Sequence, residues 1–222
     1  MKVVVYVLCH SAEAYAAAQK TFADVPETVL VRIPSGMWME NIAYTHVLER
    51  RKHEWIDADY VGFVSPTLPE KLGRPLDLDV PAGFNVIPMW SDGCKEHGSL
   101  AAAGSTAHPR FQEIWVPLLR ELGFSEEEAL SPDVMPFYAQ AYLARPDIML
   151  RYMEFFATAR RVLETLPEIQ DALWSDAGYA GSMTPEELET CFGVPYYPHL
   201  PFICERLPCM VFNKWSDRVV LL

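Results

Sequence analysis

A His, a Glu and an Arg near the carboxyl terminus are the clearest candidates for chemistry in this chain. His199 precedes a mostly apolar run at residues 200–210, and Glu205 and Arg206 lie inside that run. Burying a lone charge is costly, so these two side chains must be paired or hydrogen-bonded. Two interpretations stay open: a structural ion pair that anchors the last helix, or a carboxylate facing a sugar beside a guanidinium on phosphate.

Five aspartates are candidate ligands for a divalent metal ion, since carboxylate oxygen atoms suit Mg²⁺ and Mn²⁺. Asp57 and Asp59 form one Asp-x-Asp pair just before an apolar segment, where they also suit a turn between helix and strand. Asp77 and Asp79 form a second pair in a Pro-rich stretch, and Asp92 follows another apolar segment. A turn is the alternative role for Asp92, and such pairs also occur by chance in an acidic chain.

Several well-known nucleotide-binding and catalytic motifs are missing from the sequence. It has no G-x-G-x-x-G after the first apolar run, no G-x-x-x-x-G-K-[ST], no G-x-S-x-G and no H-E-x-x-H. A nicotinamide-binding Rossmann site, a P-loop, a hydrolase nucleophile elbow and a zinc-protease helix therefore have no support.

Strand and helix patterns alternate through about the first 120 residues. This alternation predicts an α/β fold with a mostly parallel, twisted sheet flanked by helices and followed by a helical C-terminal part. We predict loops at residues 66–83 and 91–108. The predicted strands are residues 2–8, 28–33, 60–64, 84–90 and 135–143, and the main predicted helices are 12–22, 37–56, 109–122, 146–166 and 184–193.

Polar side chains follow three of the predicted strands. His10 and Ser11 come after the first, Ser65 after the third and Asp92 after the fourth. In open α/β sheets, ligands bind beyond the carboxyl ends of the strands, so these residues are neighbours of a possible site. Ser11 also suits the N-cap of the Ala-rich helix that follows it.

Composition limits the class of partner. The chain has 222 residues, half of them apolar, and a formal net charge of −12. Its size suits a single domain, and its charge argues against binding to nucleic acid or to anionic lipid. The first apolar run is too short to span a membrane. Five scattered cysteines without a C-x-x-C pair are typical of reduced thiols in a cytoplasmic protein.

Three stretches of the chain together resemble a known group of enzymes. In this order they are similar to the small glycosyltransferase domains of large DNA viruses, which build capsid glycans, and more distantly to bacterial capsular-polysaccharide-synthesis domains. The stretches are Glu-Asn-Ile at 40–42 with Ala-Asp-Tyr-Val-Gly-Phe at 58–63, Phe-Tyr at 137–138 with Arg-Pro-Asp-Ile-Met at 145–149, and Tyr-Tyr-Pro-His-Leu-Pro-Phe at 196–202 with Glu-Arg-Leu-Pro-Cys at 205–209.

The resemblance implies a GT-A-like fold and transfer of a sugar from a nucleoside-diphosphate-sugar donor to a glycan or glycoprotein acceptor, with Mn²⁺ or Mg²⁺. It also implies one glycosyltransferase-like domain, with a nucleotide-binding half at about residues 1–122 and an acceptor-binding, helical half at about 123–222. Whether the anomeric configuration is inverted or retained stays open.

Under this hypothesis the donor pocket lies at the strand ends near His10, Ser65 and Asp92. Glu40 and Asn41 begin the long helix, where backbone N–H groups favour a diphosphate. From the C-terminal side, the segment that carries His199, Glu205 and Arg206 closes the site. Either Glu205 or Asp92 is the candidate base for the acceptor hydroxyl.

Two other functions stay open at this point. One is a catalytically inactive glycan-binding or scaffold module that has kept the fold, because fold does not guarantee function. The other is an enzyme that acts on a nucleotide without a sugar.

Overall fold

A five-stranded mixed sheet flanked by helices forms the centre of the molecule. The computed structural model describes residues 1–89, 99–134, 136–137 and 141–215. The strand order is β2-β1-β3-β5-β4. The strands are β1 (Val3–Cys9), β2 (Thr28–Arg32), β3 (Tyr60–Val64), β4 (Val86–Pro88) and β5 (Tyr142–Ala144).

The predicted α/β class is confirmed, and the predicted sheet direction is partly correct. β1 pairs in parallel with β2 and with β3. β5 lies between β3 and β4 and runs antiparallel to both. Four strands therefore point one way, while the two pairings that involve β5 are antiparallel. Because β5 comes from the predicted acceptor-binding half, the sheet is built from both halves of the chain.

Alternate side chains of β1 pack on opposite faces of the sheet, as the two-residue repeat of a strand requires. Val5 and Val7 pack with Ala18 of α1 (Ala12–Thr21) on one face. Tyr6 and Leu8 pack in the larger core on the other face. β1 is buried along its whole length, which explains its nearly continuous apolar sequence.

The prediction of one continuous helix at residues 37–56 is wrong. The structure has a 3-10 segment (Met39–Ile42), a π-helical segment (Tyr44–Leu48) and a short α2 (Lys52–Trp55). Met39 has a φ of 47°, outside the helical range. The Trp55 indole donates to the Leu48 carbonyl over 2.8 Å, so a tertiary contact takes the place of a helical hydrogen bond.

Two stretches that were predicted as loops contain helices. α3 (Leu68–Leu72) lies within residues 66–83, and α4 (Leu100–Ala107) lies within residues 91–108. The small residues of α4 are there for close packing: a side chain at Gly104 would collide with the Phe111 ring. Residues 90–98 lie outside the described part of the chain.

The C-terminal part is helical, as predicted. Ser125 and Thr184 form capping boxes at two of the helix starts. No helix in the described ranges has the length and apolar character needed to cross a membrane. The helices are α5 (Phe111–Glu121), α6 (Glu126–Ala129), α7 (Pro146–Thr165), α8 (Pro167–Leu173), α9 (Pro185–Phe192) and α10 (Leu200–Trp215).

Candidate active-site cleft

The strand order creates a point where the chain reverses direction across the sheet. From β1 the chain passes through α1 to β2 on one side, and it then returns to β3 on the other side of β1. α1 packs on one face of the sheet and the 3-10 and π-helical segments on the other. Beyond the carboxyl ends of two such strands, the flanking segments diverge and leave a crevice, which is the usual ligand site of an open α/β sheet.

A cleft lies at this place and joins residues from distant parts of the chain. Ser65 follows the end of β3, and Glu40 and Asn41 belong to the 3-10 segment. Glu205 of α10 lines the same cleft. Four of the residues that the sequence analysis selected for a site are therefore brought together.

His10 and Glu40 connect the end of β1 to the cleft. Nε2 of His10 lies 3.8 Å from Oε1 of Glu40, which suits an ion pair but is too long for a direct hydrogen bond. Burial acts to raise the pKa of the Glu40 carboxyl, but its contact with His10 and the charge of Lys71 hold that pKa below its ordinary value. Glu40 is thus kept as a carboxylate at the cleft.

The first half of the chain also places a hydroxyl and an ammonium group at the cleft. Ser65 Oγ lies 2.9 Å from Thr67 Oγ1, within the turn that leads into α3. Lys71 stands at the end of α3, and it is the single Lys or Arg among the described lining residues. A phosphate bound in this cleft would therefore pair with the Lys71 ammonium group.

Glu205 and Arg206 lie on different sides of α10, because successive residues of a helix are about 100° apart. Arg206 Nη1 is nevertheless 3.8 Å from Glu205 Oε2, as the structural ion-pair interpretation expects. Glu205 lines the cleft, whereas Arg206 is buried and its guanidinium lies over the Phe111 ring, 5.4 Å from its centre. Arg206 Nη1 donates to the Phe202 carbonyl over 2.9 Å. The structure therefore places Arg206 behind the cleft wall, and its expected contact with phosphate is not supported by this position.

His199 is also behind the wall rather than in it. Its side chain is completely buried. Nδ1 lies 3.1 Å from the Ser175 carbonyl oxygen, and Nε2 contacts the carbonyl oxygen of Pro109. Both ring nitrogens are therefore engaged by backbone groups, so His199 fixes the start of α10 and does not line the cleft.

An aromatic wall, formed by Tyr179, Tyr197 and Phe202, faces the two carboxylates and was missed by the sequence analysis. The Tyr179 ring meets Tyr197 edge-on at 5.2 Å between centres and lies 4.9 Å from Phe202. Gly181 makes room for this arrangement, since a side chain there would collide with the Tyr197 ring. The sequence signal was small: Tyr179 stands among Gly and Ala residues without helix or strand periodicity.

The remaining candidate site residues lie elsewhere. Ser11 caps α1, accepting from the Ala14 N–H over 3.0 Å. Asp57 and Asp59 precede β3, at the opposite edge of the sheet from Ser65, and the Asp59 carboxylate accepts from the Lys2 backbone N–H over 2.6 Å.

Neither Asp-x-Asp pair lines the cleft. Asp77 accepts a hydrogen bond from the backbone N–H of Asp79 over 2.9 Å, as in a local turn. Asp92, the candidate base and metal ligand, lies outside the described residues. Within the described ranges, no three His, Cys, Asp or Glu side chains are grouped so that they could hold a metal ion.

The aromatic wall rests on a buried histidine. His108 stacks on Phe202 with 4.1 Å between ring centres, and its Nδ1 lies 3.1 Å from the Ala177 carbonyl oxygen. Burial lowers the pKa of His108 to about 4, and the nearby charge of Arg206 acts in the same direction. The neutral His108 ring therefore connects the turn before α5 to the segment that carries Tyr179.

Comparison with known proteins adds no relative to this description. No protein-family model matches the chain, and no curated protein and no solved structure is significantly similar to it.

Proposed function

We propose that the protein is a glycosyltransferase that moves a sugar from a nucleoside-diphosphate-sugar donor to a glycan acceptor. The observation that carries this proposal is the composition of the cleft at the reversal point of the sheet. Carboxylates from the two halves of the chain, Glu40 and Glu205, line it together with Ser65 and an aromatic wall. Carboxylates bind sugar hydroxyls, and aromatic rings pack against the C–H faces of sugar rings.

Glu205 is the best placed candidate for the catalytic base. In glycosyl transfer with inversion, a carboxylate accepts the proton of the acceptor hydroxyl as that oxygen attacks the anomeric carbon. Glu205 lies in the second turn of α10 and lines the cleft together with the aromatic wall and Ser65. Glu40 is held by His10, so we assign it to binding of the donor sugar.

The donor diphosphate would lie toward Ser65 and Lys71. Lys71 is the cation that offsets the departing negative charge, since such stabilisation lowers the barrier to transfer. Mn²⁺ or Mg²⁺ would need oxygen ligands beyond Glu40, Asn41 and Glu205 of the cleft, since no three His, Cys, Asp or Glu side chains in the described ranges are grouped to hold an ion. If bound, the ion would add to the charge neutralisation that Lys71 supplies.

The GT-A type of fold is part of the same proposal. A sheet with four strands in one direction, an antiparallel strand between β3 and β4 and a site beyond the ends of β1 and β3 is compatible with it.

A glycan-binding module without catalysis is the second candidate. The aromatic wall favours it, because Tyr179, Tyr197 and Phe202 suit a neutral sugar better than a diphosphate. The two candidates differ in one property, since only the transferase needs to bind nucleotide.

Thermal unfolding with added nucleotides tests the proposal. The panel holds UDP, GDP, ADP and CDP and their sugars, each with and without Mn²⁺ and Mg²⁺. We expect at least one nucleotide sugar to raise Tm, since a ligand at one hundred times its Kd stabilises the native state by about 2.7 kcal/mol. Lys71→Ala should reduce that shift, and Lys20→Ala on the exposed side of α1 is the matched control.

The other outcomes separate the alternatives. If no nucleotide and no nucleotide sugar changes Tm, the transferase proposal is rejected. Stabilisation by free sugars alone identifies a glycan-binding module. Stabilisation by nucleotides without any preference for their sugars identifies an enzyme that acts on a nucleotide alone.

A further inference from the structure

A second groove lies next to the cleft, on the other side of Tyr179. The two concavities share Tyr179, Gly181 and Tyr197, so the aromatic side chains form a wall between them. Asp176, Ala180 and Tyr196 are among the other residues that line the second groove. A ligand longer than one sugar unit could thus continue from the cleft into the second groove along this wall.

Tyr179 is exposed and yet held in place. About half of its surface, 51%, is accessible, although large apolar rings are usually covered. Its ring packs against Tyr197 and Phe202. The loop that carries it is fixed at both ends, because the Ala177 N–H donates to the Tyr197 carbonyl over 2.9 Å and the Met183 N–H donates to the Tyr197 hydroxyl over 3.2 Å.

An exposed ring on a fixed loop is a prepared binding surface. Little side-chain entropy is lost when a ligand packs against a ring that is already ordered. The flat face of Tyr179 offers apolar contact to the C–H face of a pyranose, while Tyr197 and the loop backbone offer polar groups at its edge.

The charge of the second groove selects against anionic ligands. Among its described lining residues, Asp176 is the single charged side chain, and its Oδ1 accepts from the Gly178 N–H over 2.8 Å. A phosphate or a carboxylate would meet a negative charge without a compensating Lys or Arg in that lining. A neutral, hydroxyl-rich ligand meets hydrogen-bond acceptors and an aromatic face instead.

We infer that the second groove binds a neutral pyranose unit of the glycan acceptor, with Tyr179 as its stacking platform. This inference rests on the proposed function, since it makes the cleft the place of transfer and the groove the place of the next acceptor unit. It predicts that the acceptor contains at least two sugar units.

Two substitutions in one loop separate the groove from the cleft. Ala180 lines the second groove and Ser182 lines the cleft, and both are exposed. Ala180→Leu should fill the groove, and Ser182→Leu should fill the cleft. Tyr179→Ala removes the platform, whereas Tyr179→Phe keeps the ring.

Saturation-transfer NMR measures binding to the 222-residue chain. The probes are the methyl pyranosides of glucose, galactose, mannose, xylose, rhamnose and N-acetylglucosamine, with their neutral disaccharides. We expect at least one probe to bind the wild type and Tyr179→Phe, and to bind Tyr179→Ala and Ala180→Leu about tenfold more weakly, as truncation of an aromatic anchor typically causes. Circular dichroism checks that each variant is folded.

The result is independent of nucleotide binding. If sugar binding depends on Tyr179 but no nucleotide shifts Tm, the second groove is confirmed as a sugar-binding site and the transferase proposal is rejected. The inference about the groove is overturned if no probe binds, if Tyr179→Ala and Ala180→Leu bind as well as the wild type, or if only Ser182→Leu weakens binding.

Discussion

The guanidinium of Arg206 lies over the Phe111 ring, 5.4 Å from its centre, on the side of α10 away from the cleft. A cation over an aromatic face is stabilised by the ring's charge distribution, more so when both groups are away from water. Glu205, the preceding residue, faces the cleft. The two adjacent charges still form an ion pair, with 3.8 Å between Arg206 Nη1 and Glu205 Oε2. One end of this pair lies in the core and the other end lies in the site.

Substitution of Glu205 tests its role as base. Glu205→Gln keeps the size of the side chain but removes the proton acceptor, so we expect transfer to slow by about 10²–10⁴-fold. Tm should fall only slightly, because Gln keeps an oxygen near Arg206 Nη1, 3.8 Å away, and Glu205 is partly exposed. Release of nucleoside diphosphate in the presence of acceptor gives the rate, and full activity in this variant would remove Glu205 from the base position.

Substitution of Arg206 should affect stability. Arg206→Ala leaves a cavity beside Phe111 and removes the hydrogen bond to the Phe202 carbonyl, so we expect a loss of about 2–4 kcal/mol in the free energy of unfolding. Urea unfolding measures it, with Arg161→Ala on the exposed side of α7 as the control. Equal stability of the two variants would contradict the buried role of Arg206.

The lowered pKa of His108 predicts a loss of stability in acid. Its pKa falls from 6.5 to about 4 on folding, so the unfolded chain binds more protons between these pH values. The free energy of unfolding therefore decreases as pH falls through this window, by up to about 3 kcal/mol from this group.

The variant His108→Asn isolates this contribution. Its amide can still donate to the Ala177 carbonyl but does not titrate, so the loss of stability between pH 7 and pH 4.5 should be smaller than in the wild type. Urea unfolding at the two pH values measures the difference. The same pH dependence in both proteins would mean that His108 contributes nothing to it.

Substitution of Gly62 tests the pairing of β3 with β5, and Ser65 directly follows β3. A Cβ at Gly62 would overlap the backbone carbonyl oxygen of Tyr142 in the neighbouring strand β5. Backbone cannot move aside like a flexible side chain, so Gly62→Ala should cost about 1–3 kcal/mol or more. Gly36→Ala is the control, since nothing lies near its Cβ, and we expect a change within about 0.5 kcal/mol. Similar melting temperatures for the two variants would refute the close approach of β3 and β5.

Local signals made part of the fold predictable. The unbroken apolar run of β1, the Ser11 cap and the capping box at Thr184 depend on residues close in sequence, and the structure confirms them. The rule that ligands bind beyond the strand ends selected Ser65, and the structure places it in the cleft.

Features that depend on distant contacts were not predictable. The break in the helix after Leu48 follows from the Trp55 indole, and the directions of Glu205 and Arg206 follow from the rotation of α10 against α5. Tyr179 lies in a loop whose course is set by Tyr197, so no periodic pattern marked it.

The position of β5 has a consequence for the order of events during synthesis. In the described sheet, β4 is an edge strand that pairs with β5 alone, and β5 is made more than fifty residues later. The edge of the sheet formed by β4 and β5 can therefore assemble only after Ala144 has left the ribosome, whereas β1, β2 and β3 can pair earlier. A nascent chain that ends near residue 122 holds an open edge on β3, and there a chaperone or a neighbouring copy competes with β5.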